Sequence, residues 1–364
     1  MRVGFDATLL RNGFFTGIEK YIINFLKTLN NTKIDFKLVV FIQNGFPELL
    51  KNELTSLDFI HLNSANRLVL DQVLIPLYAK KLNIDLIHFP AFAPSPFYRK
   101  KAIVTIHDAT FWRYPDTISK GGKYYYRPLL SHSIGRINHF ITVSNSSKSD
   151  LIEYLKIPQD AITVTYEALD LDFQELNSKY VENENKSGHE KYILSVGTLE
   201  PRKNIQTLIS AFSILKKKYN IDHKLILTGR SGWKDKLEIP TDVLNNIIFT
   251  GYVSDKELLN LYKSASIYVF PSIYEGFGFP LLEAMSSGTP IVASLTSSLP
   301  EVGGNACEYV RDSHSPDEYA KIIFSVLSNK PQRESMVALG YKRVEEFKWD
   351  KCVTETIDIY KAIC

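Results

Sequence analysis

Residues 272–294 read SIYEGFGFPLLEAMSSGTPIVAS. Just upstream, SIYVFPS (266–272) is a short apolar run of β-branched and aromatic residues, the pattern of a buried strand. Gly276 and Gly278 then loosen the backbone, Pro280 suits the first position of a helix, and LLEAMSS runs to Gly288, a C-terminal stop. The order is strand, loop, short helix. Unbonded N–H groups at such a helix start, aided by the helix dipole, favour a phosphate. Two acids, Glu275 and Glu283, flank this point with seven residues between them. Carboxylates repel phosphate, so they are read as accepting hydrogen bonds from hydroxyls on either side of it. A ligand with hydroxyls at both ends and phosphate in the middle is a nucleotide sugar. Taken singly, Glu283 reads as an acid favouring a helix start and Glu275 as solvated surface; the segment as a whole reads as a ligand site.

Outward from this segment, short apolar runs alternate with longer helical patterns. In the first half these are RVGFDA followed by GIEKYIINFLKTLN, then FKLVVFI, IDLIHF, AIVTIHD, HFITVS followed by SSKSDLIEYLKI, and AITVTYEA. That is the rhythm of a parallel sheet covered by helices on both faces. It fails at QELNSKYVENENKSGHEK (174–191), which is polar and aperiodic and reads as a linker. It resumes with KYILSVG, a helix from about Asn204 to Tyr219, HKLILTG, NIIFTGYV, SIYVFPS and TPIVAS. The expected organisation is α/β: two doubly wound, Rossmann-like parallel-sheet domains, 1–173 and 192–345, facing across a cleft. Residues 174–191 link them, and 346–364 form a C-terminal helix able to cross back to the first domain. Ligands of such sheets bind at the carboxyl ends of the strands.

Three further places fit a phosphate-bearing ligand. TLEPRKN follows a strand and puts Arg202 and Lys203 at the start of the next helix, where cations oppose the dipole but clamp a diphosphate well; solvated surface cations are the plainer reading. RNGFFTGIEKY carries Gly13 and Gly17 in a loop before a helix, allowing close approach of backbone to phosphate. It lacks both the G-x-G-x-x-G fingerprint and the G-K-[ST] of a P-loop, which weighs against nicotinamide or ATPase chemistry. In TIHDATFW, His107 and Asp108 end a strand, where a histidine can donate to a sugar hydroxyl or position a reacting group.

Bulk properties agree with a soluble enzyme. The chain has 364 residues, 45% hydrophobic and 23% charged, enough for two cores. A net charge of +3 argues against a generally basic nucleic-acid binder. Cys307, Cys352 and Cys364 are odd in number and far apart, suggesting neither a disulfide framework nor a zinc site and pointing to a reducing, cytoplasmic compartment. The chain opens on a strand-like run without a signal-peptide pattern, and no apolar stretch reaches the ~18 residues of a membrane span.

GTLEPRKN, GYVSDKELLNLYKSASIYVFPSIYEGFGFPLLEAMSSGTPIVAS, SSLPEVGGNA, TGIEKY, TIHDATFW and ITVSNSSKSDL together resemble family four of the retaining glycosyltransferases, with the GT-B fold. The resemblance spans most of the chain and is strongest in its second half. It implies that Glu275 binds hydroxyls of the transferred sugar, that the N–H groups of Phe277, Gly278 and Phe279 face sugar and phosphate, and that Glu283 holds the ribose. Arg202 and Lys203 would neutralise the leaving diphosphate, Tyr252 and Val253 would meet the base, His107 would sit over the sugar, and Gly17 would approach the diphosphate from the opposite lobe. One departure stands out: many relatives carry an Arg directly after the glycine ending the first strand of the second domain, whereas Gly197 is followed by Thr198. Arg202 is the sequence's candidate for that charge.

The implied reaction is hexosyl transfer with retention, needing no metal or other cofactor, since no Asp-x-Asp motif occurs in the matching segments. EPRKN with YEALD (166–170) leans toward bacterial mannosyltransferases that build O-antigen or exopolysaccharide from GDP-mannose on a polyprenyl-diphosphate-linked glycan. Two other readings remain open at this level: a non-hydrolysing nucleotide-sugar epimerase of the same architecture, and a non-catalytic nucleotide-sugar-binding subunit. Residues 1–173 hold 20 Lys and Arg against 16 Asp and Glu, a net +4, and the segment 97–127 interleaves seven cations with aromatics. This segment reads either as a dock for an anionic membrane surface or as a solvated loop whose aromatics belong to the core.

Overall fold

The structure is a computed structural model; it describes all residues except 12, 14, 65, 92, 97, 118–123, 125, 181–189 and 231–236. Every apolar run read as a strand is one. In the first sheet these are β1 (Arg2–Asp6), β2 (Lys37–Gln43), β4 (Leu86–Phe89), β5 (Lys101–Thr105), β6 (His139–Thr142) and β7 (Ile162–Val164). In the second they are β8 (Tyr192–Val196), β9 (Lys224–Thr228), β10 (Ile247–Gly251), β11 (Ile267–Phe270) and β12 (Ile291–Ser294). Two strands escaped the reading, β3 (Asp58–Leu62) and β13 (Cys307–Val310). The sheets run β3-β2-β1-β4-β5-β6-β7 and β10-β9-β8-β11-β12-β13, with parallel pairing. Both missed strands are therefore edges. An edge strand keeps polar side chains, as Asp58 and Glu308 show, and loses the continuous apolar signature of a strand covered on both faces.

The chain divides into one unit of Met1–Glu167 with Lys348–Cys364 and a second of Ala168–Phe347. The stretch from 174, read from its polarity as a linker, begins inside a helix, Leu171–Ser178, of the second unit. Asp170 caps that helix by accepting from Phe173 N at 2.9 Å, and the fully buried Phe173 ring meets Tyr262 edge-on with centroids 6.1 Å apart. Asn177 Nδ2 adds a bond to Ser286 O at 2.7 Å. One buried aromatic and one cap outweigh an otherwise polar composition.

Within the first unit, the helix Trp349–Ile363 buries Trp349, Cys352, Val353, Ile357 and Tyr360, in part against the helix Gly17–Asn31. Tyr360 reaches His88, a fully buried side chain of β4: its Oη lies 2.6 Å from His88 Nδ1, and Thr105 Oγ1 lies 2.7 Å from Nε2. Burial holds the His88 imidazole neutral, its pKa pulled from 6.5 down to about 3. In the unfolded chain the same ring takes a proton below pH 6.5, so stability falls as pH drops from about 6.5 toward 3. His88 should contribute about 2 kcal/mol of acid sensitivity to the first unit between pH 7 and pH 5. Chemical denaturation reads it as the difference in slope between the wild type and His88→Phe, since the raised pKa of His107 works in the opposite direction. An unchanged slope in that variant would assign the acid sensitivity elsewhere.

In the second unit the helix Ile205–Tyr219 lays Leu208, Ile209, Phe212 and Leu215 against Ile193, Leu225, Val269 and Val292 of the sheet. No helix among the described residues is long and apolar enough to cross a membrane.

Candidate active site

Sheet order locates the site. In the second unit β8 is flanked by β9 and β11, so the connections leave in opposite directions there and open a crevice at the strands' carboxyl ends. The chain leaving β8 forms a tight turn, Pro201–Lys203, and the chain leaving β11 carries Tyr274 and Glu275. These two loops are laced together. Ile273 N donates to Arg202 O at 2.9 Å, and Asn204 Nδ2 donates to Pro271 O at 3.1 Å and Ser313 O at 2.6 Å.

Here Glu275 receives a cation on each oxygen. Arg202 Nη1 donates to Oε2 at 2.8 Å and Lys203 Nζ to Oε1 at 2.7 Å. Arg202 also reaches Tyr274 O at 2.7 Å and, through Nη2, Glu200 Oε1 at 2.6 Å. Lys203 Nζ sits 5.1 Å from the centre of the Phe270 ring. Burial alone would raise the Glu275 pKa, but Arg202 and Lys203 more than offset it and hold the carboxyl down at about 2. Glu275 is thus a buried, permanently ionised acceptor, 8% exposed, and not the solvated surface acid that its loop position allows.

A third loop fixes the backbone around it. Ser297 Oγ accepts from Glu275 N at 2.9 Å, while Ser298 Oγ reaches Glu275 O at 3.0 Å and Phe277 O at 2.8 Å. These serines belong to the SSLPEVGG segment that follows β12 and were not singled out from the sequence. Gly278 caps the helix Phe279–Ser286 at φ 109°, with Pro280 in its first turn. The Phe277 ring, 3% exposed, packs on Phe279 and Phe347. Tyr252, half exposed at the end of β10, lies under the Arg230 guanidinium, 5.4 Å from ring centre, and Val253 follows it.

The remaining expected residues stand differently. Glu283 turns into the domain, 4% exposed, and accepts from Tyr262 Oη at 3.0 Å, so the hydroxyl it meets here is the protein's own. In the first unit, His107 was read as a donor to a sugar hydroxyl. Both of its ring nitrogens are occupied: Nε2 by Pro90 O at 2.8 Å and Nδ1 by Glu167 Oε1 at 3.1 Å. Burial opposes charge on this imidazole, but Glu167 outweighs it and raises the pKa. Neither nitrogen is free to meet a hydroxyl in this arrangement, and Asp108 is an Asx turn accepting from Thr110 N at 2.8 Å. Gly17 is the first residue of its helix, where Glu19 already accepts from Thr16 N at 2.9 Å.

The described cations of the basic segment 97–127 do not share one face. Arg99, Lys100 and Lys101 lie around a cavity at the amino ends of the first unit's strands with Asp35, Asp85 and Lys361, the end of the sheet opposite His107. Arg113 pairs with Asp150 at 2.7 Å, and Trp112 packs on the core. Phe97, Lys120, Lys123 and Tyr125 lie outside the described residues.

The model for glycosyl transferases group 1 matches residues 177–343 and that for glycosyltransferase family 4 matches 15–173. The chain is 34% identical over 281 residues to the O-antigen chain mannosyltransferase B of Escherichia coli, covering 74% of this chain and 72% of that one. It is 32% identical over 258 residues to the O-antigen chain mannosyltransferase RfbU of Salmonella typhimurium strain LT2, covering 70% and 67%. A glycosyltransferase structure from Rickettsia africae ESF-5 superposes with a TM-score of 0.75 at 20% identity over 100% of this chain and 98% of that one, a shared fold. The chain belongs to the family-four glycosyltransferases, and its two Rossmann-like units are those of the GT-B fold.

Proposed function

We propose that this glycosyltransferase moves mannose from GDP-mannose, with retention, onto a polyprenyl-diphosphate-linked bacterial surface glycan at the cytoplasmic side of the membrane. The Glu275–Arg202–Lys203 cluster at the strand switch point carries the reading. It offers a fixed anion for sugar hydroxyls next to cations for a departing diphosphate. The names of the relatives supply the sugar and the glycan.

In this scheme the anomeric carbon–phosphate oxygen bond breaks, the acceptor hydroxyl oxygen bonds the same face of that carbon, and its proton passes to a phosphate oxygen. The protein is asked for charge stabilisation and alignment, not for a nucleophile. Lys203 and Arg202 stabilise the leaving group. Glu275 orients the sugar, the amino end of the helix Phe279–Ser286 faces the phosphate, Tyr252 and Val253 meet the base, and the ribose lies toward Glu283. The test is incubation with GDP-mannose, UDP-glucose, UDP-N-acetylglucosamine and dTDP-rhamnose, with and without a lipid-linked acceptor, read by mass spectrometry. Mannosylated acceptor formed from GDP-mannose is the expected product. Isomerised donor without acceptor would mean an epimerase, and binding without turnover a sensor subunit.

A further inference from the structure

We propose that a cavity at the amino ends of the second unit's strands, the end of the sheet opposite Glu275, binds a phosphate monoester carried on a small body such as a sugar. The inference goes beyond transfer and does not depend on which donor the enzyme uses. The cavity measures about 640 Å³, within the range of small-ligand sites. Its floor is made by residues that lead into four neighbouring strands: Lys191 before β8, His223 before β9, Ser266 before β11, and Gly288 and Pro290 before β12. Its wall is one face of the helix Lys330–Val344, where Arg333, Val337 and Tyr341 recur every four residues beside Glu334 and Ala338. The adjoining stripe is used for packing: Met336 and Gly340 are buried, and a Cβ on Gly340 would lie 3.3 Å from Met285.

The charge around this cavity is one-sided. Arg333 Nη1 donates to Val326 O at 2.9 Å and to Leu327 O, capping the helix Pro316–Ser328 with neutral carbonyls that leave the guanidinium charge uncancelled. No acid pairs with Lys191 among the described residues, and Lys191 is exposed. Glu334, the acid on the wall, already has Lys330 at 3.6 Å, one turn back. Two cations therefore stand without an anion, the charge that a phosphate monoester dianion matches. His223 supplies an independent observation. Its Nδ1 is buried with no hydrogen-bond partner among the described residues, and buried polar atoms are seldom left so. Burial, with Lys191, Lys216 and Arg333 nearby, holds this imidazole neutral and pulls its pKa from 6.5 to about 4, while Asp222 pulls weakly the other way. A phosphate oxygen would accept from Nδ1–H and offset the cations that keep the ring neutral. Leu327, Val337 and Tyr341 leave apolar surface for the body of the ligand. Tyr341 reaches over the turn before β12, where a Cβ on Gly288 would lie 2.3 Å from its hydroxyl.

Histidine NMR on the full chain tests this, with the His223 ring signal assigned by its loss in His223→Phe. Mannose 6-phosphate should shift that signal saturably and mannose should leave it unmoved; inorganic phosphate should shift it with equal or weaker affinity. In the complex the ring should titrate nearer 6.5 than 4, because the anion offsets Lys191 and Arg333. Lys191→Glu, a change at an exposed side chain, should weaken binding about 10-fold or more while the denaturation midpoint stays put. The ring signal reports on this cavity alone, so phosphate bound beside Lys203 does not imitate the result. A His223 signal that ignores both phosphates would overturn the site, and so would equal affinity in Lys191→Glu or equal shifts by mannose and mannose 6-phosphate. Each of those outcomes leaves the transfer reaction standing, since none of these residues belongs to the Glu275 cluster.

Discussion

Glu275→Gln should reduce sugar transfer about 100-fold or more while leaving nucleoside diphosphate affinity intact or improved. The two effects have opposite signs for one reason. The carboxylate holds Arg202 and Lys203 at 2.8 and 2.7 Å, so it competes with the diphosphate for the cations that would clamp it. Glutamine keeps the shape but gives up the charge; the sugar loses its strongest acceptor, and the cations turn toward phosphate. General damage to the site would lower both quantities together, so steady-state transfer and calorimetry on the same preparation separate the cases. Near wild-type turnover would remove Glu275 from the site. The variant also leaves two largely buried cations short of an anion, a change that costs about 3–5 kcal/mol when a buried pair is broken outright. The pH dependence follows from the same geometry. Its carboxyl has a folded pKa near 2 against 4.5 unperturbed, so the stabilisation is fully present above pH 4.5 and is lost as pH falls toward 2. His88 acts at higher pH, between about 6.5 and 3, so the two groups separate in an acid titration over pH 7 to 4.5.

The sequence was most informative where chemistry and periodicity coincide in one short segment. The run from β11 through the helix Phe279–Ser286 shows its strand, loop and helix by local rules, and the fold sets its acid Glu275 beside Arg202 and Lys203. Partnership over distance was not legible. Glu200 sits two residues before Arg202 in the same quoted motif, yet only the fold shows it taking one arm of that guanidinium. Arg230 is far from Leu199 in the chain and becomes its neighbour only where the pairing of β8 on β9 runs on past the strand ends, Leu199 N donating to Arg230 O at 2.9 Å. A strand end marks His107 as interesting, but whether its nitrogens are free depends on Pro90 and Glu167, which arrive from other strands. Polarity misplaced the linker start because a single buried ring, Phe173, decides where that helix packs.

Gly229→Ala should destabilise the second unit by about 3 kcal/mol or more and abolish nucleotide binding with it. Two separate costs meet at this position. The backbone has φ +141°, a region that L side chains rarely adopt, and the added methyl would lie 2.1 Å from Gly197 O and 2.6 Å from Gly197 C. That obstacle is backbone and cannot rotate aside, so the β8 and β9 loops must part. Parting them breaks the bond from Leu199 N to Arg230 O and moves the turn that carries Arg202 and Lys203. Gly13 provides the control. It has the same φ of +141°, but among the described residues a Cβ there meets nothing within 4 Å, so Gly13→Ala is expected to carry the dihedral cost, about 1–3 kcal/mol in the first unit. Hydrogen exchange resolved by peptide reads the two units separately, which a single melting temperature would not. The expected pattern is a modest loss of protection in the first unit for Gly13→Ala, and for Gly229→Ala a larger loss centred on β8 and β9 with GDP and UDP binding gone. Equal penalties in the two variants would mean that the loops separate at little cost, and the close approach of Gly197 and Gly229 would then not be what holds the cation-bearing turn in place.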